Sequence, residues 1–280
     1  MPAKIAVVTG SSSGIGLLTS VELAKAGFRV VATMRDLGRR CCLDQTVAQA
    51  QLGASVDVRL LDVTNFDALP GFVDTVVREY GRIDVLVNNA GFAVAGFAED
   101  IRLGELRLQF ETNFFGAVAL TKAVLPAMRQ QRSGHIVQIS SICGLQGSPT
   151  VSSYSASKHA LEGWTESLRL EVRPLGIKVV LVEPGSFQTD IWTRGAMMGK
   201  DALNQASPNY QRGQRMIDRV GKIPKAHPIA VARAVVAIAQ DPHPSLRYLV
   251  GHDAKIQLAL KRILPWKWHE KVVANFLKID

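Results

Sequence analysis

Tyr154 and Lys158 stand four residues apart at the start of a helix-like stretch. That spacing sets a phenol and an ammonium on one helix face, about one turn apart. A cation beside a phenol favours the phenolate, so the tyrosine pKa should fall from about 10. A tyrosine tuned in this way can exchange a proton with an alcohol or carbonyl oxygen near neutral pH. Tyr-x-x-x-Lys pairs arise often by chance on helices, so the weight of this one depends on its surroundings.

A second candidate is the turn Thr9-Gly10-Ser11-Ser12-Ser13-Gly14-Ile15-Gly16, which follows a short β-branched run and opens a helix. Glycines let a backbone approach a pyrophosphate, and a helix N-terminus offers free N–H groups at its positive end. The spacing is G-x-x-x-G-x-G rather than the commoner dinucleotide pattern, and no Gly-Lys-Ser/Thr ending of a nucleotide-hydrolysing loop follows. After the second strand the chain reads Thr33-Met34-Arg35-Asp36. A carboxylate at this point would hold the ribose 2′-OH of NAD, whereas a basic residue pairs with the extra phosphate of NADP. Arg35 therefore favours NADP(H) as cofactor. If Asp36 takes the ribose-facing position, NAD(H) is the alternative.

Strand-like and helix-like segments must alternate to position these groups. The strand-like runs are Lys4–Val8, Arg29–Thr33, Val56–Leu61, Ile83–Val87, His135–Ile139, Ile177–Val182 and Tyr248–Val250. Helical patterns occupy Leu17–Ala26, Phe66–Tyr80, Leu103–Arg132, Ser155–Val172 and His227–Ala239. This alternation predicts an α/β, doubly wound, Rossmann-like fold over residues 1–280, with a parallel sheet of about seven strands and helices on both faces. Ligands of such sheets sit at the carboxyl ends of the strands. Thr9 to Gly16, Asp62, Asn88 to Gly91, Ser140-Ser141 and Pro184-Gly185 all follow strand ends.

Composition excludes several classes. At 47% hydrophobic and 20% charged residues, the chain can bury a sizeable core. Cys41, Cys42 and Cys143 are odd in number and two are adjacent, which suits a reducing compartment and a cytoplasmic protein. No Cys/His cluster has zinc spacing, so no metal is expected. The apolar run after Lys4 is too short for a secretory signal, and no run of about 18 apolar residues exists. The net charge of +9 suits a phosphorylated cofactor, but no nucleic-acid-binding motif accompanies it, so no nucleic acid is expected. No G-x-S-x-G elbow points to a hydrolase.

Taken together, these residues resemble the short-chain dehydrogenase/reductase family. The resemblance is carried by Thr9-Gly10-x-x-x-Gly14-x-Gly16, Asp62-Val63, Asn88-Asn89-Ala90-Gly91, Asn113, Ser141, Tyr154-Ser155-Ala156-Ser157-Lys158 and Pro184-Gly185 with Thr189. It implies that Tyr154 is the general acid/base, that Lys158 lowers its pKa and holds the nicotinamide ribose, and that Ser141 hydrogen-bonds the reacting oxygen. Ser140 competes, but the family's spacing favours Ser141. Asn113 would support a water near Lys158. Gly10, Ser12, Ser13, Gly14, Ile15 and Gly16 would line the pyrophosphate, and Asp62 and Val63 would frame the adenine. Asn89, Ala90 and Gly91 would border the riboses, and Pro184, Gly185 and Thr189 the nicotinamide. Two bland readings stand beside these: Asn89 as a tie between strand ends, and Asn113 as a helix breaker. The family also includes non-catalytic cofactor-binding regulators, but such proteins usually lose the tyrosine or lysine.

Phe92, Val94, Cys143, Leu145, Phe187 and Trp192 are candidate substrate-pocket residues. Their apolar character predicts a small hydrophobic carbonyl or alcohol substrate. A looser resemblance runs to the branch that includes hydroxysteroid and retinol dehydrogenases. Residues 185–228 form an irregular substrate loop that is either a lid or a structural insertion. Residues 255–280 form a basic amphipathic segment with tryptophans. It has three readings: membrane-surface contact, a cover over the substrate cleft, or a face on a partner subunit, with core-facing packing the commoner use of such helices. The family resemblance implies a homodimer or homotetramer through the Leu103–Arg132 and Ser155–Val172 helices.

Overall fold

The computed structural model describes residues 3–189, 191, 196–221, 223 and 225–277. Seven strands form one all-parallel sheet: β1 (Ile5–Val8), β2 (Arg29–Met34), β3 (Val56–Leu60), β4 (Val85–Asn88), β6 (Gly134–Ile139), β7 (Ile177–Pro184) and β9 (Arg247–Val250). Their spatial order is β3-β2-β1-β4-β6-β7-β9. The order reverses between β1 and β4, so a crevice opens above the ends of those two strands. A two-stranded ribbon pairs β5 (Ala93–Ala95) with β8 (Ala196–Met198).

The strands are apolar on both sides because both faces are covered. Along β1, Ala6 and Val8 point into one core layer while Ile5 and Val7 point into the other. The same two-residue alternation sends Val85 and Val87 of β4 to the first layer and Leu86 to the second. Helices α1 (Gly14–Lys25), α2 (Cys41–Gln49) and α8 (Ile229–Gln240) close the first layer. Helices α3 (Ala68–Tyr80), α5 (Ala117–Gln131) and α6 (Ser152–Val172) close the second. All seven strands expected from the sequence are present, within one or two residues at their ends.

The helices depart from expectation in three places. The Leu103–Arg132 pattern is not one helix. It is α4 (Leu103–Phe110), a π-helical segment Glu111–Gly116, and then α5. Helix α2 gave no strong signal, since only Leu43 and Val47 of its nine residues are buried. The stretch from Gly185 to Pro228 contains β8 and α7 (Tyr210–Gly221), whose polar composition hid its helical period. The chain ends in two helices, α9 (His252–Ile263) and α10 (Trp266–Leu277). Among the described residues no helix is long and apolar enough to cross a membrane.

Candidate active site

The glycine turn is held open by contacts that tolerate no side chain. Gly10 has φ +69°, and a Cβ there would lie 2.9 Å from Ala90 Cα. A Cβ on Gly16 would collide with the Gly10 carbonyl and the Asn89 amide. Asn89 itself ties the two strand ends together. Its Nδ2 donates to Thr9 O (2.8 Å) and Gly10 O (3.2 Å). Thr9 Oγ1 accepts from Asn89 N (2.9 Å) and Ala90 N (3.0 Å). The side chain of Asn89 is therefore a tie between strand ends, and Thr9, which the motif includes without a role of its own, organises the turn.

Ser13 precedes α1 in extended conformation and makes no side-chain cap, so the first N–H groups of α1 face outward from the turn. A Cβ on Gly14 would stand 3.6 Å from Thr189 Cβ, which brings the glycine turn against the chain leaving β7. This cradle, with free helix N–H groups and no side chain between its walls, fits a pyrophosphate. Ser12 and Ile15 lie in the same turn and are half-buried. Val63 is buried, and a Cβ on Gly116 would clash with it at 2.8 Å. Asp62 is exposed and accepts from Thr64 N (2.9 Å) and Thr64 Oγ1 (2.7 Å).

Arg35 is exposed just past β2. The neighbouring Asp36 accepts from Gly38 N (2.8 Å), capping its own short turn. That carboxylate is engaged locally, whereas no described ion pair holds Arg35.

The chemistry-bearing side chains converge beyond β6. Tyr154, in the first turn of α6, is 4% exposed and packs with Ala93, Ile142, Cys143, Val151 and Ala254. Ser141 Oγ accepts from Cys143 N (3.1 Å), and its hydroxyl favours the charged form of the Tyr154 phenol. Ser140 points elsewhere: its buried hydroxyl lies beside Gly144 and Glu162. Lys158 is buried one turn on, with Nζ donating to Ile139 O (2.8 Å) and lying 5.8 Å from the centre of the Tyr154 ring.

The expected lowering of the Tyr154 pKa is not what this packing produces. Burial raises it well above the ordinary value, the Cys143 thiol adds to the rise, and Ser141 only opposes it. The Lys158 amine is aimed at a backbone carbonyl rather than at the phenol oxygen. Burial also lowers Lys158 to about 8, against the influence of Glu162 and Cys143, which hold its charge. At neutral pH the site thus carries a protonated phenol beside an ammonium.

Asn113 sits in the π-helical segment, buried at 2% exposure. Its Oδ1 accepts from Phe92 N (3.0 Å), and its Nδ2 donates to Phe92 O (2.9 Å) and Ser157 Oγ (3.2 Å). The side chain clamps the chain after β4 onto α6. Gly91 packs on the same clamp, 3.1 Å from Asn113 Oδ1 to a Cβ built there.

The pocket residues divide. Cys143 and Leu145 lie in the cluster around Tyr154. Val94 is fully buried, but strand alternation gives that cluster Ala93 instead. Phe187 belongs to the core layer under α8. Phe92 is half-buried, with its backbone in the Asn113 clamp. Trp192 lies outside the described residues. Sequence reading missed Ile142, Val151 and Ala254, which share the cluster with Tyr154, and Leu249 and Leu258, which pack against it from β9 and α9. It also missed Asp253, whose carboxylate accepts from Ser186 N (2.7 Å) and fills the space beside Gly185. Pro184 ends β7 buried, and Gly185 N donates to Val250 O (2.8 Å).

Beneath this cluster lies a buried ion network. Arg247 of β9 donates to Glu162, Glu183 and Glu166. The Glu162 and Glu183 side chains are 6% and 1% exposed. Burial and the nearby Glu162 charge push Glu183 up to about 7, with Arg247 pulling the other way.

Known proteins resemble this chain in sequence and fold. The family model for short chain dehydrogenase matches residues 4–197. An uncharacterized oxidoreductase, YusZ of Bacillus subtilis, is 40% identical over 280 residues, 99% of both chains. Retinol dehydrogenase 8 of Homo sapiens is 38% identical over 257 residues, 87% of this chain and 80% of that one. Among solved structures, a short-chain dehydrogenase from Streptomyces avermitilis superposes with a TM-score of 0.82 at 33% identity, covering 100% of this chain and 97% of that one. A metagenomic short-chain oxidoreductase in complex with NADP gives 0.69 at 28% identity, covering 89% and 97%. A Burkholderia phymatum relative in complex with NAD gives 0.79 at 26% identity, covering 93% of each chain. A parallel sheet reversing at β1/β4, a glycine cradle at that reversal and this breadth of similarity lead to one statement: the chain belongs to the short-chain dehydrogenase/reductase family of oxidoreductases.

Proposed function

We propose that this oxidoreductase moves a hydride between NADP(H) and the carbonyl or secondary alcohol of a hydrophobic substrate, with Tyr154 as general acid/base. The observation that carries the reading is the Tyr154 phenol, buried in an apolar cluster one turn from Lys158, whose Nζ lies 5.8 Å from the ring centre. When bound, the nicotinamide supplies or accepts the hydride. The chain's own residues do the rest. Gly10 to Gly16 bind the pyrophosphate through backbone N–H groups, with Thr189 closing over Gly14. Ser141 and Tyr154 both donate hydrogen bonds to the substrate oxygen. As charge develops on that oxygen, Tyr154 delivers its proton. Lys158 stabilises the phenolate left behind and holds the nicotinamide ribose. Ile142, Cys143, Val151 and Leu258 exclude water and favour an uncharged substrate. A phenol that keeps its proton at neutral pH is suited to carbonyl reduction.

Because Lys158 loses its proton near 8, kcat/KM for ketone reduction is expected to decline above about pH 8. Glu162→Gln removes a charge that supports the ammonium, so the decline should begin at lower pH. A profile flat to pH 10 in both proteins would contradict the role given to Lys158.

Arg35 is the reader of the 2′-phosphate, supported by its exposure past β2 and by the engagement of Asp36 with Gly38. Fluorescence titration of Arg35→Ala should show NADPH affinity falling at least about tenfold, as expected for loss of a charge-assisted contact of about 1.5 to 3 kcal/mol. NADH affinity should be nearly unchanged. Equal or tighter NADH binding by the wild type would make NAD(H) the cofactor. Exposed Leu103, Leu108, Phe115 and Leu170 on α4, the π-helical segment and α6 support a homo-oligomer built through those helices.

A further inference from the structure

Helix α9 has two apolar faces with different fates. Ala254 and Leu258 point inward to the cluster around Tyr154. Gln257 meets Gln146 (2.5 Å) and Lys261 donates to Leu145 O, so α9 is a wall of the substrate pocket. Ile256, Leu260 and Ile263 recur at helical spacing on the opposite side and are exposed. Helix α10 continues the pattern. Trp268, Val272 and Phe276 form an exposed stripe one residue per turn, at 61%, 43% and 64% exposure. His269 is buried, and Arg219 of α7 donates to Leu277 O (2.6 Å), which ties the end of α10 to α7. Among the described residues, seven of the sixteen exposed large apolar side chains, including Trp266, fall between residues 256 and 276.

Charge borders the stripe. Lys267 and Lys271 stand one residue before Trp268 and Val272, about 100° round the helix, and Lys271 Nζ lies 5.6 Å over the Trp268 ring. Lys255 and Arg262 flank the exposed stripe of α9 in the same way. From Lys255 to Leu277 there are five basic residues and one acidic, Glu270. Among the described residues none of the five forms an ion pair with a carboxylate.

We propose that α9 and α10 form an interfacial anchor that seats the protein on an anionic lipid surface. Tryptophan, phenylalanine and isoleucine enter the headgroup boundary while the lysines and arginine meet lipid phosphates. The alternative occupant, a second copy of the same face, would bring two basic rims together and is disfavoured by repulsion. Because the inner face of α9 lines the pocket, docking would bring that wall beside the phase in which apolar carbonyl compounds dissolve. This inference concerns a surface and stands whether or not the cofactor and substrate assignments do.

The test is flotation of the full chain with vesicles of phosphatidylcholine alone and with about one third phosphatidylglycerol, at low and high salt. The wild type should float with the anionic vesicles at low salt and not with neutral ones. Lys267→Glu/Lys271→Glu and Trp268→Ala/Phe276→Ala should each reduce binding at least about tenfold. Both variants should keep the wild-type circular dichroism and the wild-type NADPH titration. Failure of the folded wild type to float would overturn the proposal. So would flotation unchanged in both variants, or a wild-type dimer in sedimentation that Trp268→Ala/Phe276→Ala dissociates without any vesicle binding.

Discussion

Tyr154→Phe is expected to lower kcat/KM for carbonyl reduction by about 10²–10⁴, the range for loss of a positioned proton donor. NADPH affinity should change little. The substitution removes one oxygen and keeps the ring that packs on Ile142, Val151 and Ala254, so stability should change little as well. That combination separates a catalytic phenol from a packing tyrosine. Stopped-flow NADPH oxidation and a parallel fluorescence titration check both halves. An equal loss of cofactor binding would place Tyr154 among the positioning groups instead.

Arg247→Met should be the most destabilising single change at the carboxyl end of the sheet. It leaves Glu162 and Glu183, both nearly inaccessible, without their shared cation. Removing one partner of a buried ion network costs about 3–5 kcal/mol, which for a chain of this size corresponds to a melting-temperature drop of about 10 °C. In the folded state the Glu183 carboxyl is pushed up to about 7, above its ordinary value of 4.5. Its contribution to stability is therefore full below about 4.5 and is lost as pH rises to about 7. Without Arg247 the folded pKa climbs further, so the loss extends to higher pH. Calorimetry at pH 6 and pH 8 should show the variant deficit growing with pH. A deficit that shrinks with pH would contradict the shared-cation account. Arg247→Lys, which keeps the charge but not the three-way fork, should recover part of the loss.

The seven strands and their parallel order were legible because strands buried on both faces read as short apolar runs closed by glycine or a polar turn. Tyr154, Lys158 and Ser141 were legible because their spacing is set within one helix and one strand end. What escaped reading has a different physical basis. Arg247 meets Glu183 through the pairing of β7 with β9 and Glu162 through the packing of α6 on the sheet, over 64 and 85 residues of separation. Asp253 reaches Ser186 across 67 residues. The Tyr154 environment depends on Ala254 and Leu258, which nothing local to the motif announces. The π-helical segment was invisible because its residues keep ordinary helical composition and only the Asn113–Phe92 clamp reveals the extra residue in the turn. The direction of the Tyr154 shift went wrong for the same reason. Four-residue spacing puts Lys158 on the right face, but burial among distant side chains, not that spacing, sets the pKa.

The most direct measurement is transfer of deuterium from the C4 position of stereospecifically labelled NADPH to a panel of hydrophobic ketones, read by mass spectrometry of the alcohols. The wild type should place a single deuterium on the carbinol carbon, delivered from one face of the nicotinamide. Tyr154→Phe should bind the same cofactor and transfer at least about a hundredfold more slowly. No transfer to any ketone by a protein that binds NADPH, or equal transfer by Tyr154→Phe, would contradict the proposed reaction.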